Sequence, residues 1–211
     1  MRIIDRNTYY AYFRSMLIVF GLGNNSDKYL NTKHNIGRIL LEEWIGHLDH
    51  TGFKTKNKFF ASRTDSFASP LYFVLPTGFM NVSGEALSDF SHFYKLDKKD
   101  TTLIILQDDS DQMEGSWKLV QGGRSAGHKG IDSIHQHILG ISVDTTNIWR
   151  LKIGIRPNLN KEKSISFVLN RCSKTDDEVV DKLTELCIKN CSSMLAGDWP
   201  KVQNIFNTKV Q

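Results

Sequence analysis

The chain has 211 residues and a mass of 24.1 kDa, with 40% hydrophobic and 24% charged residues, a size at which one folded domain buries roughly 70% of its unfolded surface. That excludes a disordered chain, and the longest apolar run, Met16 to Leu22, falls far short of the about 20 residues a membrane span requires. Net charge is +4, unevenly spread: residues 115–171 hold nine Lys/Arg against three acids, whereas 172–199 hold three Lys against six acids. The basic stretch suits a polyanion such as nucleic acid, or else is a solvated face. Cys172, Cys187 and Cys191 show neither CxxC nor ligand spacing, which excludes a secreted disulfide scaffold and leaves buried or inert thiols of a reducing compartment.

Residues 1–15 carry Arg2, Arg6 and Arg14 against Asp5, with Tyr9, Tyr10 and Tyr12. They read as a flexible basic N-terminus or as an organelle-targeting leader, ahead of one domain over 16–211. Leu17 to Phe20 is a β-type run closed by Gly21, and Ile39, Leu40, Trp44, Ile45 and Leu48 then repeat at helical spacing. Phe59 to Arg63 and Leu71 to Leu75 read as two short strands, and Ala86, Leu87, Phe90, Phe93 and Tyr94 as a second amphipathic helix that Ser83 can cap.

Leu103 to Leu106 is a continuous apolar strand of the kind buried on both faces, and it is expected to stop at Asp108, Asp109 and Asp111. Trp117 to Val120 is a short strand before the glycine-rich Gln121 to Gly127, and Ile131, Ile134 and Ile138 mark a third helix. Trp149, Leu151, Ile153 and Ile155 alternate with Arg150 and Lys152 as a strand polar on one face. The last helix runs from Asp176 to about Leu195. This order predicts a single three-layer α/β domain with a mixed twisted sheet between helices, whose loops after Gly23, Pro76 and Asp108 can gather into a site.

Gly21-Leu22-Gly23 lacks the third glycine of a dinucleotide fingerprint, and neither GxSxG, HExxH nor a phosphate-loop lysine motif occurs. His135 and His137, two apart on a helix, face different ways, so no metal site is expected there. What remains is a series of polar clusters beside glycines: Gly21 to Asn24, Thr32-Lys33-His34-Asn35, Phe79-Met80-Asn81-Val82-Ser83-Gly84, Asp108-Asp109-Ser110-Asp111 and Gly127-His128-Lys129-Gly130. A histidine, an acid able to fix its tautomer, and amides able to donate to an oxyanion are the parts that water-mediated acyl transfer needs.

In this order and near this spacing the clusters resemble the bacterial-type peptidyl-tRNA hydrolase family, with Tyr29 and Arg150-Leu151-Lys152-Ile153-Gly154-Ile155 completing the likeness between about Leu17 and Pro157. The resemblance implies a cofactor-free and metal-free enzyme of mixed-sheet fold that cleaves the ester joining a blocked peptide to the 3′ end of tRNA. It implies that His34 is the general base and that Asp108 holds its imidazole, with Asn24 and Asn81 positioning ester and water. Substrate contacts are expected from Tyr29, Phe79, Met80, Asn35 and Lys129, core packing being the other reading of the two aromatics. Lys118, Arg150 and Lys152 are expected on tRNA phosphates.

Three departures stand out: Asn25-Ser26 where the family continues Pro-Gly, Lys129 where it has Asn, and a basic, polar glycine loop with Arg124 and Ser125. They keep a non-catalytic RNA-binding relative open as the alternative, although a pure binder has no chemical use for His34 and Asp108. A small-ester hydrolase unrelated to RNA would leave the basic segment without a role. Peptidyl-tRNA is the expected partner, and no protein partner is expected: the chain is read as a monomer acting in the cytoplasm or, if residues 1–15 are a leader, in the mitochondrion.

Overall fold

The computed structural model describes residues 16–64, 66–67, 69–97, 99–157 and 166–208. The leader reading of 1–15, and Lys161, Glu162 and Lys163 of the basic segment, lie outside the described residues. Seven strands form one sheet: β1 (Met16–Gly21), β2 (Lys54–Lys56), β3 (Phe59–Thr64), β4 (Leu71–Pro76), β5 (Thr101–Met113), β6 (Trp117–Gln121) and β7 (Ile148–Arg156), in the order β2-β3-β4-β1-β5-β7-β6. The central β4, β1, β5 and β7 are parallel, while β3 joins β4, β2 joins β3 and β6 joins β7 antiparallel.

Five helices cover the sheet: α1 (Ile36–Gly46), α2 (Ser83–Phe93), α3 (Lys129–Gln136), α4 (Lys174–Leu195) and α5 (Trp199–Asn207). β1 shows why there are three layers. Its side chains alternate between faces, so Leu17 and Val19 pack with Ile36, Leu40, Trp44, Leu183, Met194 and Phe206 of α1, α4 and α5, whereas Ile18 and Phe20 pack with Leu87, Phe90, Ile131 and Ile134 of α2 and α3. Each such side chain contributes about 1.5–3 kcal/mol by leaving water.

Gly37 brings α1 against the sheet: a Cβ there would lie 2.2 Å from the Leu106 carbonyl oxygen of β5. The same approach sets the turn before α1 beside β5, and that turn holds His34. Gly84 does the same for α2 and α3, since a Cβ would lie 2.1 Å from the Ser133 carbonyl oxygen.

Several expectations need correction. β5 does not stop at the acids but continues to Met113, because Asp108 and Asp109 are buried with ion and hydrogen-bond partners rather than solvated. The chain has a further helix, α5, after the one expected to be last; Pro200 sits in its first turn, where its missing N–H costs nothing. Ser83 is the first residue of α2 rather than its cap, and its hydroxyl donates to the Met80 carbonyl at 2.8 Å. β7 does not present an open polar face, because Arg150 is only 3% exposed and Lys152 is partly buried against Asp109.

Candidate active site

β1, β4 and β5 run parallel, so the loops after Gly21 and Pro76 open at the same edge as the far half of β5, the usual place for a site in such sheets. His34 lies in a single helical turn, Lys33–Asn35, ahead of α1. Its backbone N–H donates to the Val168 carbonyl at 2.8 Å, and its Nδ1 lies 2.8 Å from Asp108 Oδ1. The same carboxylate oxygen lies 2.8 Å from His128 Nε2.

The tautomers follow from the partners. Gly130 N–H, in the first turn of α3, donates to His128 Nδ1 at 3.1 Å, so the His128 proton resides on Nε2 and is donated to Asp108. An ionised carboxylate only accepts, so His34 also donates, from Nδ1, and its Nε2 carries the free lone pair. Burial works against the Asp108 carboxylate, but the two imidazoles overcome it and hold its pKa well below the usual carboxylate range. Burial likewise disfavours charge on His34, yet Asp108 prevails and raises its pKa. His34, Asp108 and His128 offer three potential ligand atoms within 4.8 Å of one another; with N–H groups facing the carboxylate, a cation could enter only by displacing both protons.

Two cavities meet at His34. One, of about 280 Å³, has Asn24, Tyr29, Phe79, Met80 and Asn81 on its walls with Lys129 and Leu169. The other, of about 210 Å³, lies along β5 and the 125–129 loop and also includes Lys129 and Arg150. Tyr29 and Phe79 therefore stand at a cavity rather than in the core; Phe79 is 55% exposed. Asn24 Oδ1 accepts from Met80 N–H at 2.8 Å, which ties the β1 and β4 loops together and leaves the Asn24 amide NH₂ without a partner among the described residues. Asn25 takes over the anchoring that a rigid turn would give: its N–H donates to Gly78 O at 3.0 Å and its Nδ2 to Thr77 O at 3.2 Å.

Other expected contacts are spent internally. Asn35 is fully buried, its Oδ1 accepting from Asn24 N–H at 2.8 Å and its Nδ2 donating to Asn24 O at 3.0 Å; it clamps the Asn24 loop and has no polar group left for substrate. Arg150 donates from Nε to Gln107 Oε1 at 2.7 Å and from Nη1 to the carbonyls of Gly122 and Arg124 at 3.3 and 2.8 Å. It braces the glycine loop from inside at 3% exposure, and only its Nη2, on a residue that also lines the cavity along β5, has no partner among the described residues. Lys152 pairs with Asp109 at 2.6 Å and is partly buried, whereas Lys118 is exposed. The residue missed from the sequence is His128, although it sits in a motif singled out there; a histidine two residues before a helical glycine was the available signal.

A family model described as peptidyl-tRNA hydrolase matches residues 17–211. The chain is 32% identical over 201 residues to the peptidyl-tRNA hydrolase of Bacillus subtilis (strain 168), covering 92% of this chain and 100% of that one. It is 35% identical over 184 residues to that of Pasteurella multocida (strain Pm70), covering 86% and 90%. The crystal structure of peptidyl-tRNA hydrolase from Acinetobacter baumannii superposes with a TM-score of 0.76 at 26% identity, covering 93% of this chain and 96% of that one.

Proposed function

This chain belongs to the peptidyl-tRNA hydrolase family, whose members hydrolyse the ester bond of peptidyl-tRNA, and from that premise we propose how its own residues perform the reaction. The observation that carries the reading is the His34 Nδ1 contact of 2.8 Å to Asp108, which leaves Nε2 as the base at the junction of the two cavities. Nε2 takes a proton from water as the oxygen attacks the ester carbonyl. The imidazolium that forms is stabilised by Asp108, and it returns the proton to the departing ribose oxygen. Products are the blocked peptide as its carboxylate and free tRNA.

The Asn24 amide, Asn81 and the Lys129 ammonium border the cavity where the tetrahedral oxyanion develops and supply its donors. Tyr29 and Phe79 offer ring faces to an unstacked base or to peptide side chains, and Met80 forms part of the apolar wall. Lys118 is the phosphate contact of the basic segment that its exposure supports.

We infer that a monomer suffices to act on peptidyl-tRNA, since one chain supplies His34, Asp108 and the walls of both cavities. No helix among the described residues is long and apolar enough to cross a membrane. A tRNA substrate points to the cytoplasm; the mitochondrial alternative rests on residues 1–15, outside the described residues.

The test compares release of N-acetylated amino acid from N-acetyl-aminoacyl-tRNA with hydrolysis of the unblocked form. His34→Ala should lower turnover by about 10² to 10⁴ with tRNA affinity nearly intact, and near-normal hydrolysis by that variant would sink the assignment.

A further inference from the structure

Immediately before the base, Lys33 carries its charge inward and is only 4% exposed. Its ammonium pairs with Glu114 Oε2 at 3.0 Å and with Asp176 Oδ2. The cavities at His34 do not include Lys33 on their walls, so it is not a substrate ligand. The three charges come from three segments that each bear on the site. Lys33 precedes the base, Glu114 directly follows the strand that carries Asp108, and Asp176 lies in the first turn of α4.

Between the site and α4 runs a strap, 168–172, whose residues Val168 and Leu169 border the two cavities. Lys33 N–H donates to Asn170 O at 2.9 Å, and Cys172 N–H to Asn31 O at 3.1 Å. Ser173 closes the ring, donating its hydroxyl to Glu114, donating its N–H to Asp176 Oδ2 at 2.8 Å and accepting from Asp176 N–H at 3.2 Å.

Burying three charges is costly, and packed apolar side chains would hold these segments together at least as strongly. What the ion cluster supplies beyond adhesion is direction, since each oxygen fixes where the ammonium, and with it the neighbouring residue, must stand. We propose that Lys33 is a positioning residue: its ion pairs with Glu114 and Asp176 fix the turn that presents His34, so that the His34 Nδ1–H stays on Asp108. This rests on the reading of His34 as the base.

The groups that face His34 are Asp108 on β5, His128 at the start of α3, with ring centroids 5.1 Å apart, and Lys129 on the cavity rim. Those around Lys33 are Glu114, Asp176 and the Cys172 thiol, which burial, aided by Asp176, pushes up to about 12, so it does not titrate in the range of the assay.

The experiment uses the full chain with Lys33→Met and Glu114→Gln. It measures kcat and KM on N-acetyl-aminoacyl-tRNA across pH 5–9, and the His34 ring titration by NMR without substrate. Misplacing a reacting group by about 1 Å costs about 10²-fold, so Lys33→Met should lower kcat by about 10- to 100-fold with KM little changed. The acid limb of kcat and the His34 titration should both move to lower pH, because the contact that raises the His34 pKa is loosened while burial persists. Glu114→Gln, which leaves the Asp176 arm, should move the same quantities in the same directions by less, and it carries the test if Lys33→Met does not fold.

An unchanged His34 titration in a folded variant would overturn the proposal. So would a rise in KM at constant kcat, or a lowered melting temperature with no change in pH profile. A wild type that fails to hydrolyse the ester would strike the functional reading alone, because the ring titration reports positioning without turnover.

Discussion

Replacing Asp108 with Asn separates charge from orientation at this site. Oδ1 accepts from both His34 and His128, each at 2.8 Å. An Asn with its oxygen in that place still accepts both hydrogen bonds and keeps both tautomers, so what is lost is the negative charge. With charge centres about 4 Å apart, an imidazolium and a carboxylate interact by about 4 kcal/mol at an effective dielectric near 20. That is an upper limit of about 10³ in rate. The lower limit is the difference between a charge-assisted and a neutral hydrogen bond, about a factor of two in strength and about tenfold in rate.

Asp108→Asn should therefore lose about 10- to 10³-fold in kcat, whereas Asp108→Ala, which strands two buried N–H donors, should lose more and also be less stable. The pH profile adds a sign. Asp108 raises the His34 pKa against the opposing effect of burial; without the charge, His34 stays neutral to lower pH and the acid limb of the rate shifts down. Steady-state hydrolysis of N-acetyl-aminoacyl-tRNA between pH 5 and 9 measures both. An Asn variant as inactive as the Ala variant would refute the argument from the shared oxygen, and wild-type rates would remove Asp108 from the chemistry.

Each neutralised phosphate on a single-stranded region adds about −0.7 to the slope of log affinity against log salt, so Lys118→Ala should flatten that slope by about 0.7 in filter binding. Arg150→Ala should instead lower the melting temperature, because it strips partners from Gln107, Gly122 and Arg124. Lys129→Ala should weaken binding or slow turnover, and Lys129→Asn should keep or raise activity; equal behaviour of both variants and wild type would place Lys129 outside the site. Gly37→Ala puts a methyl 2.2 Å from the Leu106 oxygen, which forces α1 off β5. It should destabilise the fold by about 1–3 kcal/mol in a thermal melt and slow hydrolysis, because His34 moves with α1.

The fold was legible where apolar periodicity is strong. β1, β4 and α1 carry their burial in the spacing of Leu, Ile, Val and Trp, and the elements appear at those positions. β2 has no such signal: Lys54, Thr55 and Lys56 are all exposed, as suits a short charged edge strand. The extent of β5 was illegible for the opposite reason. Asp108 and Asp109 look like a solvated loop in one dimension, and only partners from distant segments, His34, His128 and Lys152, make their burial possible. α5 follows the helix expected to be last after only a short turn, and its Pro200 lies in the first turn, where proline is compatible with a helix.

The same asymmetry governs the site. His34, Asp108, Asn24 and Phe79 were singled out from residue type, neighbouring glycine and family likeness, and the structure gathers His34, Asn24, Phe79 and Asn81 around one cavity, with Asp108 on the Nδ1 side of His34. Asn35 and Lys152 have the right chemistry in the right motifs, yet they are engaged by Asn24 and by Asp109, and Arg150 spends Nε and Nη1 on Gln107 and two carbonyls of the glycine loop, with Nη2 alone unpartnered among the described residues. A sequence counts ionic and polar groups; affinity for a phosphate depends on those left without an internal partner. The charge of Lys152 is largely cancelled by a carboxylate 2.6 Å away, and Arg150 is only 3% exposed. The local field at β7 is therefore weaker than the run of basic residues in the sequence suggests, and the exposed cations Lys118 and Lys129 are the ones whose replacement should weaken tRNA binding more than that of Lys152.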